Sequence, residues 1–242
     1  WNKLLDHQHR NLQERRMNDA INFMNMEGLK FFGRVNASIS HELKNILAII
    51  SETAGFSNDL TDLAKQGKVL DLSLIKSCND SIAEEIQRGF TTIKQMNRFA
   101  HSVDVPIKDI DLLETLDLTI KLSSFLSFAS HVRITNPGKE IKSVLTCPFL
   151  MQNLIYQILC FTYESVGPDG EVHLQINSEE NGGIHLVFSS SGELVLEGFP
   201  NQNIQKTADI LGVEFNIKTS SIEFDIWIPY ASDKINLLSE EL

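Results

Sequence analysis

Apolar residues recur every three or four positions through the first hundred residues, then at nearly every second position in several later stretches. From Phe32 a series runs through Val35, Ile39, Leu43, Ile46 and Ile50, the stripe of an amphipathic helix packed in a bundle. "TDLAKQGKVLDLS", with Gly67, interrupts the pattern and reads as a connection. Two interleaved heptad rows follow, one of Ile75, Ile82, Gly89 and Met96, the other of Ile86, Ile93 and Ala100. Two long helices joined by a short loop predict an antiparallel hairpin. A lone hairpin leaves much of its apolar surface uncovered, so pairing with a second copy into a four-helix bundle, a homodimer, is expected. The residues ahead of it, 1–30, are polar, poor in glycine and rich in helix formers, as in an exposed or coiled-coil lead-in.

Around "HSVDVPIKDID" the texture changes, and Pro106 stops the helix because its ring and missing donor do not fit a helix interior. "LDLTIKLSSFLSFAS" has a helical pattern, and "HVRITN" and "KSVLTC" read as strands. "PFLMQNLIYQILCFTYESV" predicts a strong helix with Pro148 in its first turn. "PDG" and "NGG" are turn signals on either side of "EVHLQINSE", which "IHLVFSS" then joins in a hairpin. "NIQKTADIL" predicts a helix closed by Gly212, and "VEFNIKTS" and "IEFDIWIPY" a last strand pair. The reading is an α+β chain: a lead-in (1–30), a helical hairpin (31–104), an α/β sandwich with helices on one face (105–232) and an acidic tail (233–242).

Composition narrows the function. The 242 residues carry a formal charge of −11, from 21 basic and 32 acidic side chains. That balance argues against a nucleic-acid binder, which presents a basic stripe. No apolar run reaches membrane-spanning length, and no signal peptide opens the chain, so a cytoplasmic location is expected. Cys78, Cys147 and Cys160 are too widely spaced for a metal site and odd in number, which suits small buried side chains in a reducing compartment. The chain opens on Trp1 and not on Met, which fits a fragment or a processed product, and an upstream sensor, receiver or membrane segment is compatible with either.

The candidate chemistry is in "SISHELKN". His41 lies two residues from both Ile39 and Leu43, about 200° around the helix from the apolar stripe, and so faces solvent. Asn45 lies one turn further on the same side and Glu42 is adjacent. An imidazole is a nucleophile at neutral pH, the carboxylate can take a proton or fix the tautomer, and the amide is within reach. No second His or Cys lies at a metal-binding spacing, so no metal is expected. His7 and His9, two apart, point to different sides of a helix. On their own, such residues describe a solvated helix face.

Their context does not. "FFGRVNASISHELKNILAIISETAGF" resembles the phosphoacceptor helix of bacterial sensor histidine kinases, and the helix ending "MNRFAHSV" is similar to the second helix of that dimerisation and phosphotransfer hairpin. The resemblance implies that His41 carries a phosphoryl group, that Glu42 is the acid that helps it react, and that Glu42 and Asn45 serve dephosphorylation of a partner regulator. Where many members have proline after the asparagine this chain has Ile46, so a straighter helix is expected.

The resemblance extends over the second half, which is similar to the kinase ATP-binding (GHKL-like) domain, but key positions depart from it. In "CPFLMQNLIYQILCFTYESV" the family's first asparagine falls on Gln157 and its magnesium-binding asparagine on Phe161, whose ring offers a hard cation no oxygen. In "IHLVFSSSGELVLEGF" the adenine-binding aspartate becomes Ser190; Gly192 survives as the first glycine of the loop and Leu194 replaces the second. Ahead of its helix, "EGFPNQNIQKTADILG" holds only Gly198 where phosphates need close backbone approach. No ATP binding is therefore expected, and Mg²⁺ would be supplied at a partner.

Three readings follow from the sequence. The favoured one is a phosphorelay histidine phosphotransferase, similar to dimeric bacterial phosphotransferases, moving a phosphoryl group between His41 and aspartates of response-regulator receiver domains. The second is a non-catalytic pseudokinase scaffold, or a response-regulator phosphatase using Glu42 and Asn45. The third is a divergent ATP-dependent sensor histidine kinase.

Overall fold

The computed structural model describes residues 2–123, 131–135, 141–167, 170–179, 182–192, 194–217 and 223–235, with side chains from residue 21 onward except that of His131. Residues 34–101 form one compact unit; residues 1–33 and 102–242 form the other. The sequence reading sets the hairpin at 31–104 and keeps 1–30 apart from it and from 105–232; this division groups 1–33 with 102–242. The "PDG" and "NGG" turns, the stretch after Ser123 and the tail from residue 236 lie wholly or partly outside the described residues.

The first unit is the hairpin. It comprises the end of α1 (Asn2–Lys65) and α2 (Leu72–Ala100). Gly67 supplies the positive φ, 88°, that lets the chain reverse, and Lys68 N donates to Leu63 O at 3.2 Å. Asp71 restarts the helix by capping Ser73 N at 2.8 Å. Val35, Ile39, Glu42 and Ile46 are buried on α1, and Cys78, Thr92 and Phe99 on α2. Burying each isoleucine contributes roughly 1.5–3 kcal/mol. The buried positions of α1 step by four, three and four, the spacing of a packed seam. Here the structure corrects the predicted stripe: Glu42 is buried where Leu43 was expected, and Leu43 is only half-buried. A partner on α2 makes a buried acid tolerable at that position.

In the second unit a mixed five-stranded sheet has the order β2–β4–β5–β7–β6. Its strands are β2 (His131–Thr135), β4 (Glu171–Ser178), β5 (Gly183–Ser190), β6 (Glu214–Ile217) and β7 (Glu223–Pro229). Only β2–β4 is parallel; the other pairs are antiparallel. A separate two-stranded ladder pairs β1 (Lys108–Ile110) with β3 (Val144–Thr146). Alternation puts Val172, Leu174 and Ile176, then Ile184, Leu186 and Phe188, then Phe224, Ile226 and Ile228 on one buried face. They share a core with α3 (Leu112–Ser123), α4 (Pro148–Val166) and α5 (Gln202–Leu211). The paired rings of Phe188 and Phe224 lie parallel, 4.9 Å apart. Pro148 stands at the start of α4, and Gly212, at φ 73°, closes α5 in the left-handed region.

α4 is apolar around most of its circumference, as a helix covered on several sides must be. Part of its cover comes from α1, where the segment read as lead-in runs into the stretch read as the hairpin. Phe31 of α1 is 2% exposed, and its ring stands 5.4 Å from Phe149 and 5.0 Å from Tyr156. Gly28 permits the approach, since a Cβ there would come within 3.0 Å of the Phe149 ring. Phe32, where the stripe was expected to start, is 38% exposed, and the buried ring is its neighbour Phe31. Among the described residues no helix is long and apolar enough to cross a membrane.

Candidate functional site

His41 is exposed on α1, as its distance from the apolar stripe requires. Its Nδ1 lies 3.2 Å from Asn45 Nδ2, so the side chain one turn on fixes one ring nitrogen. A carboxamide can serve either tautomer. With Nδ2 donating to Nδ1, the ring proton sits on Nε2; turned over, Oδ1 accepts from Nδ1–H and leaves the Nε2 lone pair available. Of the three residues singled out in "SISHELKN", the structure brings His41 and Asn45 together.

Glu42 is placed differently. Its side chain is 10% exposed and turned into the seam between the helices, where Arg88 Nη2 donates to Oε1. Arg88 Nη1 also lies 3.2 Å and 3.3 Å from the two oxygens of Glu85, one turn earlier on α2 and itself 16% exposed. Burial alone would lower the Arg88 guanidinium, but the hydrogen bond and charge of Glu42, with Glu85 behind it, carry it above its usual range. The partner of the His41 ring is Asn45; that of Glu42 is Arg88. Sequence reasoning missed Arg88 and Glu85, because the register between two helices decides which residues meet, and no local pattern encodes it.

The positions compared with a nucleotide site lie along α4, at the end of β5 and in the segment after it. Gln157 Nε2 donates to Asn153 Oδ1 at 3.0 Å, and Asn153 is 2% exposed. Phe161 stacks on Phe199 at 4.5 Å between ring centres. Phe199, 8% exposed, also meets Phe224 at 4.7 Å and Phe215 edge-on at 5.5 Å. Ser190 is buried and donates its hydroxyl to Gly192 O at 2.5 Å. Gly192 is exposed, and Leu194 is buried in the core. Among the described residues no group of three or more His, Cys, Asp or Glu side chains could hold a metal ion.

No family model and no curated protein matches the chain. Solved structures do resemble it. The chain is similar to the histidine kinase domain of a blue-light-activated histidine kinase from Erythrobacter litoralis, with 14% identity over 88% of this chain and 98% of that one, and a TM-score of 0.46. It is similar to a bacterial phosphotransferase, with 12% identity over 82% and 95% of the two chains and a TM-score of 0.41. It is also similar to the catalytic domain of the histidine kinase ThkA, with 11% identity over 53% and 100% and a TM-score of 0.42.

Proposed function

We propose that this chain is a two-component signalling protein, a cytoplasmic phosphorelay histidine phosphotransferase in which His41 exchanges a phosphoryl group with aspartates of response-regulator receiver domains and uses no ATP. The observation that carries the reading is the exposed His41 imidazole with Asn45 on its Nδ1. With the amide oxygen accepting from Nδ1–H, Nε2 attacks the phosphorus of the receiver's acyl phosphate. The Nε2–P bond forms, the acyl O–P bond breaks, and its electron pair leaves on the aspartate carboxylate. No proton need leave the ring, because Nδ1 keeps its own. Mg²⁺ belongs to the receiver in this scheme, and the chain supplies position.

The donor set does not fit Mg·ATP. The position compared with a magnesium ligand is Phe161, and its ring is stacked against Phe199 from the stretch compared with the phosphate lid. A comparison shifted by one helical turn meets Asn153 and Gln157, whose amides bond each other. Ser190, in place of the adenine-binding acid, spends its proton on Gly192 O. Phosphoryl groups must then come from a partner.

A homodimer belongs to the same reading. α1 exposes Leu47 (65%) while α2 exposes Ile86 (42%), Phe90 (63%) and Ile93 (41%), enough apolar side chain to favour a second hairpin over water. The test is incubation with receiver domains carrying labelled phospho-aspartate. The wild type takes up label that is stable to base and labile to acid, and His41→Gln takes up none. Label uptake by His41→Gln, or none by the wild type across the host's receivers, overturns the proposal. Loss of receiver label as inorganic phosphate alone would support the phosphatase reading instead.

A further inference from the structure

The buried pairing of Glu42 has a chemical consequence for His41. We infer that Arg88 is a positioning residue that withholds Glu42 from the phosphoryl group, so that a group on His41 is kept for transfer and not lost to water. The inference rests on the phosphotransfer reading above.

Transfer and hydrolysis make different demands. Transfer between an aspartate and His41 needs a neutral imidazole and no external base. Hydrolysis of the phosphohistidine needs water: its oxygen bonds to phosphorus, the N–P bond breaks with its electron pair returning to Nε2, and the water proton passes to a base. The carboxylate next to His41 in sequence is the natural base for that step. It is instead 10% exposed, turned into the seam and bonded to a guanidinium. Glu85 holds the other guanidinium nitrogen, so Arg88 is tied on both sides and is set over Glu42 by its own helix. Held on the guanidinium and turned into the seam, the carboxylate is not presented to a water beside the phosphorus. Arg88 itself remains 46% exposed, so it lies at the edge of the seam.

The reading separates Arg88 from a purely structural ion pair. Three variants, Arg88→Met, Arg88→Lys and Glu42→Gln/Arg88→Met, are phosphorylated chemically with phosphoramidate, which labels histidine without any receiver. The loss of phosphohistidine is then followed by ³¹P NMR. Arg88→Met is expected to lose the group about a hundredfold faster than the wild type, the low end of what a positioned base supplies. Arg88→Lys keeps a cation and stays near the wild-type lifetime. The double variant returns to it, because the freed base is gone and the seam holds a neutral pair.

A wild-type lifetime in Arg88→Met overturns the inference, as does fast loss that persists in the double variant. Accelerated loss in both single variants assigns Arg88 a structural role only, and also overturns it. The relay reading fails on a separate result, absence of transfer from receivers, which leaves these lifetimes measurable. A wild type that phosphoramidate does not label at His41 overturns both.

Discussion

Phe199→Ala tests the claim that the nucleotide region is filled by the protein's own side chains. The ring is 8% exposed and touches Phe161, Phe215 and Phe224 at centroid distances of 4.5, 5.5 and 4.7 Å. Truncating a phenylalanine at such a site costs about 3–5 kcal/mol, which includes the lost ring–ring contacts. Phe199 sits outside the regular elements and its surroundings can partly collapse, so about 3 kcal/mol is expected. For a domain of this size that lowers the melting temperature by roughly 10 °C. Urea unfolding followed by Trp227 fluorescence in a Trp1→Phe background reads the α/β domain alone, since Trp227 lies on β7. Calorimetry with Mg·ATP is run on the same protein. The variant should open space but gain no ATP binding, because space supplies neither a magnesium ligand nor an adenine partner. A loss below about 1 kcal/mol refutes the packing argument. Micromolar Mg·ATP binding by either protein refutes the claim about the site.

Phe90→Asp puts a charge into the exposed apolar stripe of α2 and should convert a dimer to monomer in sedimentation velocity, with helicity retained; an unchanged dimer would place the interface elsewhere. Asn201 caps α5 by accepting from Asn203 N and Ile204 N, both at 3.0 Å, so Asn201→Ala should cost the α/β domain about 1 kcal/mol in urea unfolding.

Much of the fold could be read from spacing and punctuation. Pro148, Gly212 and the alternation of "EVHLQINSE" and "IHLVFSS" each act within a few residues, and α4, α5 and the β4–β5 hairpin followed them. The orientation of His41 was legible for the same reason, since helical phase is local. What was not legible depends on residues far apart in the chain. Arg88 lies 46 positions from Glu42, and their meeting depends on how two helices slide along each other. The three-residue strand β1 pairs with β3 across a whole helix and carries almost no pattern of its own. The cover over α4 was missed because residues 1–30 read as an exposed or coiled-coil lead-in and Phe31 fell in the hairpin, whereas a helix as apolar as α4 had to be covered from somewhere. The stacking of Phe161 on Phe199 was also hidden: the sequence showed two groups unsuited to a nucleotide, but not that each occupies the other's space.

The single parallel seam of the sheet bears on how the domain assembles. β2 meets β4 through pairs such as Val132↔Val172, forty residues apart, with α4 between them in the chain. A hairpin such as β4–β5 closes a short loop, but this pairing must wait until the intervening helix has been laid down. β2 also brings little apolar surface to the core, with Val132 half-buried and Ile134 36% exposed. It should therefore be the last strand to join and the first to let go. Amides of Val132 and Ile134 that are bonded within the seam would exchange with solvent through a partial opening while β5 stays protected to the limit of global unfolding.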